Sequence, residues 1–100
     1  MNKNKYRISQ QAIEDLDKIW VYTLNKWSKK QANRYYDLIL AEIEFIAVNF
    51  MTGKSVEQTR KNYRVTKIKS HLIFYRKIDN GIVEIVRILH QRMDIKKGLK

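Results

Sequence analysis

The sequence predicts a small α+β domain in which a helical hairpin packs on an antiparallel sheet, in the order β-α-α-β-β-β. Three observations predict it. Two stretches carry apolar residues at helical spacing, one through Ala12, Leu16 and Ile19, the other through Ala32, Ile39, Ile43 and Ile46. Three strand-like runs fill the second half, Tyr63–Ile68, His71–Ile78 and Ile82–Leu89. Breakers are scarce: the 100 residues include no proline and three glycines, so few loops are expected.

Lys5 to Ile8 reads as a short first strand. Ser9 follows as a helix N-cap, because its hydroxyl can accept a free backbone N–H. The first helix runs to about Trp27, with Glu14, Asp15 and Asp17 in its early turns, where the helix dipole favours negative charge. Ser28 opens the second helix with Gln31 at capping-box spacing, and Gly53 is its expected stop. Nothing separates Trp27 from Ser28, so the helices should run antiparallel. Trp20, Trp27, Tyr35 and Tyr36 fall on helical stripes and read as core. Lys54 to Asn62 is polar and reads as a loop. One domain is expected over residues 1–95, with residues 96–100 a basic tail.

Asn80-Gly81 is a hairpin signal. A two-residue turn there sets Ile78 opposite Val83, Lys77 opposite Glu84, Phe74 opposite Arg87 and His71 opposite His90. A turn at Lys69-Ser70 sets Val65 opposite Phe74 and Arg64 opposite Tyr75. Alternation then gathers Tyr63, Val65, Leu72, Phe74, Ile78, Val83, Ile85 and Leu89 on one face. This is the greasier face, so the helices are expected on it. Arg76 and Arg87 would point toward them, and a buried guanidinium needs a carboxylate. Glu14 or Asp15 is the expected ion-pair partner of Arg87.

The formal net charge is +11, from 21 Lys+Arg against 10 Asp+Glu, with a pI near 10.0. Such a field favours a polyanionic partner, whether nucleic acid, an acidic protein or an anionic membrane surface. The absence of cysteine excludes disulfides and thiolate metal sites. No Gly-rich phosphate loop, HExxH or acidic cluster with metal spacing occurs, so no cofactor and no metal are expected. The start, MNKNKYRIS, is basic with no apolar run behind it, and no stretch approaches a membrane span. A cytoplasmic protein without a membrane partner is expected.

One constellation suggests chemistry. His71, His90, Tyr75, Arg64 and Lys77 share the second face, and Arg92 follows the last strand. A metal-free ribonuclease needs such groups to move protons and to stabilise phosphorane charge. The plainer reading makes the histidines polar contacts at a sheet end. A third possibility is a basic nucleic-acid-binding module with no catalytic role.

The segment Ser70-His71-Leu72-Ile73-Phe74-Tyr75-Arg76, followed by Arg87-Ile88-Leu89-His90-Gln91-Arg92-Met93-Asp94, resembles the C-terminal signature of ParE toxins. Ala12, Asp15-Leu16, Ile19-Trp20 and Tyr22 resemble that family's first helix, and Gln31-Ala32 with Tyr35 its second. The resemblance runs from about Tyr6 to Asp94. It implies the RelE/ParE fold, a ParD-like antitoxin as partner, DNA gyrase as target, and neither cofactor nor catalysis. His90, Arg92, Met93, Asp94 and Tyr75 are then the expected target contacts, with direct nucleic-acid contact secondary. RelE-type relatives on the same scaffold are ribosome-dependent mRNA endonucleases, which would use His71, His90, Arg64 and Tyr75. The Arg92-Met93-Asp94 ending favours the ParE branch.

Overall fold

The structure, a computed structural model, describes residues 6–57, residues 60–93 (Asn80 by its backbone only) and Leu99. Strand β1 spans Tyr6–Ile8, helix α1 Gln10–Lys26, helix α2 Lys29–Val48, strand β2 Lys54–Ser55, strand β3 Arg64–Ile68, strand β4 His71–Lys77 and strand β5 Val83–His90. The sheet order is β1-β5-β4-β3-β2. β1 pairs with β5 in parallel and every other pair is antiparallel, so the sheet is mixed rather than wholly antiparallel. The two-residue β2, within the stretch expected to be a loop, pairs Lys54 with Val65 and Ser55 with Arg64.

Serine caps start both helices. Ser9 Oγ accepts the Ala12 N–H at 3.1 Å, and Ser28 Oγ accepts the Gln31 N–H at 3.1 Å. Ser9 Oγ also donates to the Val86 carbonyl at 2.9 Å, which ties the start of α1 to β5. α2 ends at Val48, and a short 3-10 turn over Phe50–Thr52 leads into Gly53.

The register of β3 on β4 follows the Lys69-Ser70 turn: Val65 faces Phe74 and Arg64 faces Tyr75. The β4–β5 hairpin departs from expectation near its turn. Its loop has three residues, Asp79–Gly81, with Gly81 at φ 73° and the Ile78 N–H bonded to the Ile82 carbonyl at 2.7 Å. Glycine takes that left-handed position without steric cost. Arg76 therefore faces Glu84 and Lys77 faces Val83, not Lys77 facing Glu84. A bulge then skips Val86: Tyr75 faces Ile85 while Phe74 faces Arg87. The second one-residue offset cancels the first, so His71 meets His90 as expected.

The bulge decides which face the helices cover. Ile73, Tyr75 and Ile88 pack against Ala12, Leu16, Ile39, Ile43 and Ile46, and Val83 and Ile85 join them. The helices thus lie on the His71/Tyr75/Ile88 side, not on the Phe74 side predicted above. Alternation carried through without a bulge had put Val83 and Ile85 on the wrong face and made the other side look greasier. The opposite face holds a smaller cluster of Tyr63, Phe74, Leu89 and Leu99, flanked by Val56, Val65, Leu72 and Val86. Arg76 correspondingly stands with Glu84 and Tyr63, not toward the helices. Ile39, Ile43 and Ile46 are fully buried and each stabilises the fold by about 1.5–3 kcal/mol.

Candidate functional site

β1 covers only Val83–Ile85, so α1 must satisfy β5 beyond that point. Asp15 does so, with its carboxylate accepting the Ile88 N–H at 2.9 Å. It also binds Arg87 through Nε at 2.8 Å and NH2 at 2.9 Å. Asp15 is 8% exposed. The hydrogen bonds that Arg87 donates to Asp15 hold its guanidinium above its ordinary pKa against burial, with further help from the Asp15 and Glu14 charges. Of the two acids expected near Arg87, Asp15 makes the contact, while the Glu14 carboxylate accepts from the Gln10 amide at 3.4 Å.

This anchor sets the end of β5 beside the end of α1 and leaves a groove of about 690 Å³ there. Its floor is His71 and His90; its walls include Tyr35, Trp27 and the cations Lys26 and Arg34. Lys69 and Ser70 of the β3–β4 turn close one side. The Tyr35 hydroxyl lies 2.7 Å from His71 Nδ1, and the two imidazoles meet edge to face at 5.3 Å. Burial first, then the neighbouring His90, pushes His71 down to about 4, with the Asp15 charge opposing. His71 is therefore a neutral imidazole at pH 7. His90 Nδ1 accepts the Arg92 N–H at 3.1 Å. Burial raises the Tyr35 hydroxyl above its ordinary pKa, against a hydrogen bond from Ser70. The groove can stack an aromatic group, attract an anion and exchange hydrogen bonds with a partner. Among the described residues no cluster of His, Asp or Glu suits a metal ion.

The structure separates the expected ribonuclease quartet. His71 and His90 lie in the groove, whereas Arg64 and Tyr75 lie at the other end of β4. Tyr75 is fully buried, contrary to its expected role in touching a target. Its hydroxyl donates to the Phe50 carbonyl at 2.8 Å and accepts the Gly53 N–H at 2.9 Å. Burial raises its pKa most, against hydrogen bonds from Gly53 and Arg64. Arg64 Nε donates to the Gly53 carbonyl at 3.1 Å, and Lys77 Nζ sits 4.7 Å from the Phe50 ring centre. Both are held by the chain around Phe50, away from the histidines. Arg92 and Met93 follow β5 directly, the Met93 N–H bonded to the His90 carbonyl at 2.9 Å, and Met93 is half exposed. Asp94 and the basic run 96–98 lie outside the described residues.

The sequence reading missed the groove's aromatic wall. Trp27 is 68% exposed and Tyr22 is 62% exposed, although Trp27 had been placed in the core. Trp27 continues the apolar stripe of α1, but the helix ends at Lys26 and Trp27, its C-cap at φ −123° and ψ −87°, leaves the helical path. The adjacent Ser28 cap was the available signal: a residue at a helix junction does not inherit the helix's buried face.

The family described as "ParE toxin of type II toxin-antitoxin system, parDE" matches residues 6–95. A curated relative from Mycobacterium tuberculosis, named Toxin ParE1, is 34% identical over 96 residues, covering 96% of this chain and 98% of that one. Another Toxin ParE1, from Caulobacter vibrioides, is 41% identical over 95 residues, covering 94% and 96%. The fold is similar to a solved structure described as "Chromosomal ParDE TA system from P. aeruginosa". That similarity has a TM-score of 0.76 at 16% identity, covering 87% of this chain and 95% of that one.

Proposed function

This chain belongs to the ParE family, the toxins of type II toxin–antitoxin systems, and from that premise we propose that it arrests growth by inhibiting DNA gyrase and is neutralised by a ParD-like antitoxin. One observation carries the choice of target within the fold. The groups a ribonuclease would need are divided between two ends of β4, and Tyr75 and Arg64 are committed to the Phe50–Gly53 turn. A protein that works by docking needs no such quartet. It needs an exposed surface with anchors, and the groove offers Trp27 and Tyr22 beside Lys26 and Arg34.

The charge of +11 supports an acidic, initially disordered antitoxin segment that folds on the toxin. A cytoplasmic setting agrees with the absence of cysteine, and no described helix is long and apolar enough to cross a membrane. Supercoiling and DNA-cleavage assays with purified gyrase test the reading. Loss of supercoiling with trapped gyrase–DNA cleavage complexes is expected, reversed by the antitoxin. Undisturbed supercoiling at excess toxin refutes it.

The second reading, a ribosome-dependent mRNA endonuclease, keeps one supporting observation: His71 and His90 stand together with Arg34 in the groove. Replacing both histidines by Gln abolishes message cleavage and toxicity together on this reading; on the first, messages stay intact with or without the histidines and gyrase inhibition weakens only through the lost His90 contact.

A further inference from the structure

The outer face of the sheet carries a cross-strand row of side chains that the gyrase reading does not use. We infer that this row, Arg7–Glu84–Arg76–Tyr63–Arg60, binds the phosphate backbone of duplex DNA. The inference goes beyond the gyrase reading and stands without it.

Arg7 on β1 and Arg76 on β4 are both register partners of Glu84 on β5. Arg7 reaches Glu84 Oε2 through Nε at 3.2 Å and NH2 at 3.0 Å. Arg76 reaches Oε1 through Nε at 3.0 Å and NH2 at 2.9 Å. One carboxylate thus fixes two guanidiniums, one oxygen each. Its side chain is 9% exposed, while those of Arg7 and Arg76 are 64% and 42% exposed. The negative charge lies beneath and the positive charges face outward. Burial pushes the Glu84 carboxyl up, and the hydrogen bonds from Arg76 and Arg7 more than reverse it, so the anchor stays ionised. The guanidiniums of Arg76 and Arg60 each lie 5.7 Å from the Tyr63 ring centre, which extends the row to a third cation.

Three guanidiniums against one carboxylate leave two positive charges in a line. A guanidinium has five N–H donors, and Arg7 and Arg76 each use only the Nε/NH2 edge on Glu84. The free edge suits a phosphate oxygen pair. From Arg7 on β1 to Arg76 on β4 the row crosses two inter-strand spacings, about 10 Å, before Tyr63 and Arg60 extend it. That strand-borne part alone covers about three nucleotides of one duplex strand at about 3.4 Å each. The chemistry points to backbone contact rather than base stacking, because Tyr63 is only 7% exposed beneath its two arginines.

Fluorescence anisotropy with a short labelled DNA duplex over a salt series tests the row. Arg7→Gln with Arg60→Gln leaves Arg76 on Glu84, so the buried carboxylate keeps a partner; an unchanged melting temperature verifies the fold. This pair is expected to weaken binding about tenfold and to flatten the log K against log salt slope by about two. Lys18→Gln with Lys30→Gln, equal in charge and exposed on the helices, should weaken it less than about threefold. Equal weakening by both pairs, tighter binding of the matching RNA duplex, or no binding by the unaltered protein overturns the inference. DNA binding by the row in a protein that leaves gyrase unaffected supports this inference and refutes the gyrase reading alone.

Discussion

The two ends of β4 use the same kinds of side chain to opposite effect. At the Tyr75 end a phenol, a guanidinium and a glycine close on one another: Tyr75 bridges Phe50 and Gly53, and Arg64 binds the Gly53 carbonyl. The Tyr75 hydroxyl and the Arg64 guanidinium there bind the chain itself. At the His71 end a phenol and two imidazoles touch just as closely, yet Lys26, Arg34 and Trp27 stand round them with a groove between. The difference lies in the turns that meet the strand. Phe50 of the short turn brings a carbonyl and an aromatic ring onto Tyr75, whereas Trp27 at the α1–α2 junction is exposed beside the groove that His71 also lines. A shared sheet face is therefore not a shared site, because the covering segment decides which polar groups remain available.

The comparison can be broken by substitution. The largest effect is expected beneath the groove, where Asp15→Ala strands Arg87 and the Ile88 N–H. Chemical denaturation should show a loss of about 3–5 kcal/mol, enough to loosen the His71 end while Tyr75 stays protected from hydrogen exchange. Protection lost equally at both ends would show that they do not behave separately.

Next comes acid sensitivity. His71 sits near 4 in the fold against about 6.5 unfolded, so between those values the unfolded chain binds the extra proton. Stability held above about pH 6.5 is lost as pH falls toward 4, with solvent around the partly exposed ring reducing the size of the loss. Melting curves of His71→Gln should lack most of that slope; an unaltered slope would place the titration elsewhere.

At the closed end, a Cβ at Gly53 would lie 2.6 Å from the Val65 carbonyl and would also meet the Tyr75 hydroxyl. Gly53→Ala should cost about 1–3 kcal/mol, and Tyr75→Phe a similar amount through the stranded Gly53 N–H. Trp27→Ala is expected to shift stability by less than about 0.5 kcal/mol, since the ring is exposed, while weakening the gyrase inhibition proposed above. A large stability loss would instead make Trp27 part of the core.

What the sequence allowed follows from how local each signal is. Ser9 and Ser28 cap helices from their own neighbourhood, and Lys69, at φ 55°, fixes the β3–β4 register within two residues. The Arg87–Asp15 pair was legible because a partly buried cation demands a carboxylate, although Arg87 is the register partner of Phe74 on the face away from the helices, not on the helix-covered face expected for it. Val86 was not: nothing about a valine between Ile85 and Arg87 marks a bulge. Missing it reversed the faces. With the faces reversed, Tyr75 was read as a contact residue when it is buried. The parallel placement of β1 was equally hidden, since pairing across 77 residues leaves no trace in local pattern.

Mapping damage in cells that express the chain without antitoxin distinguishes a toxin that docks on gyrase from one that cuts RNA. Primer extension on messenger RNA and recovery of gyrase-linked DNA would be read from the same culture. Intact messages with accumulating gyrase–DNA adducts are predicted. Codon-phased message cleavage with no trapped gyrase would contradict the account and return the His71–His90 groove to catalysis.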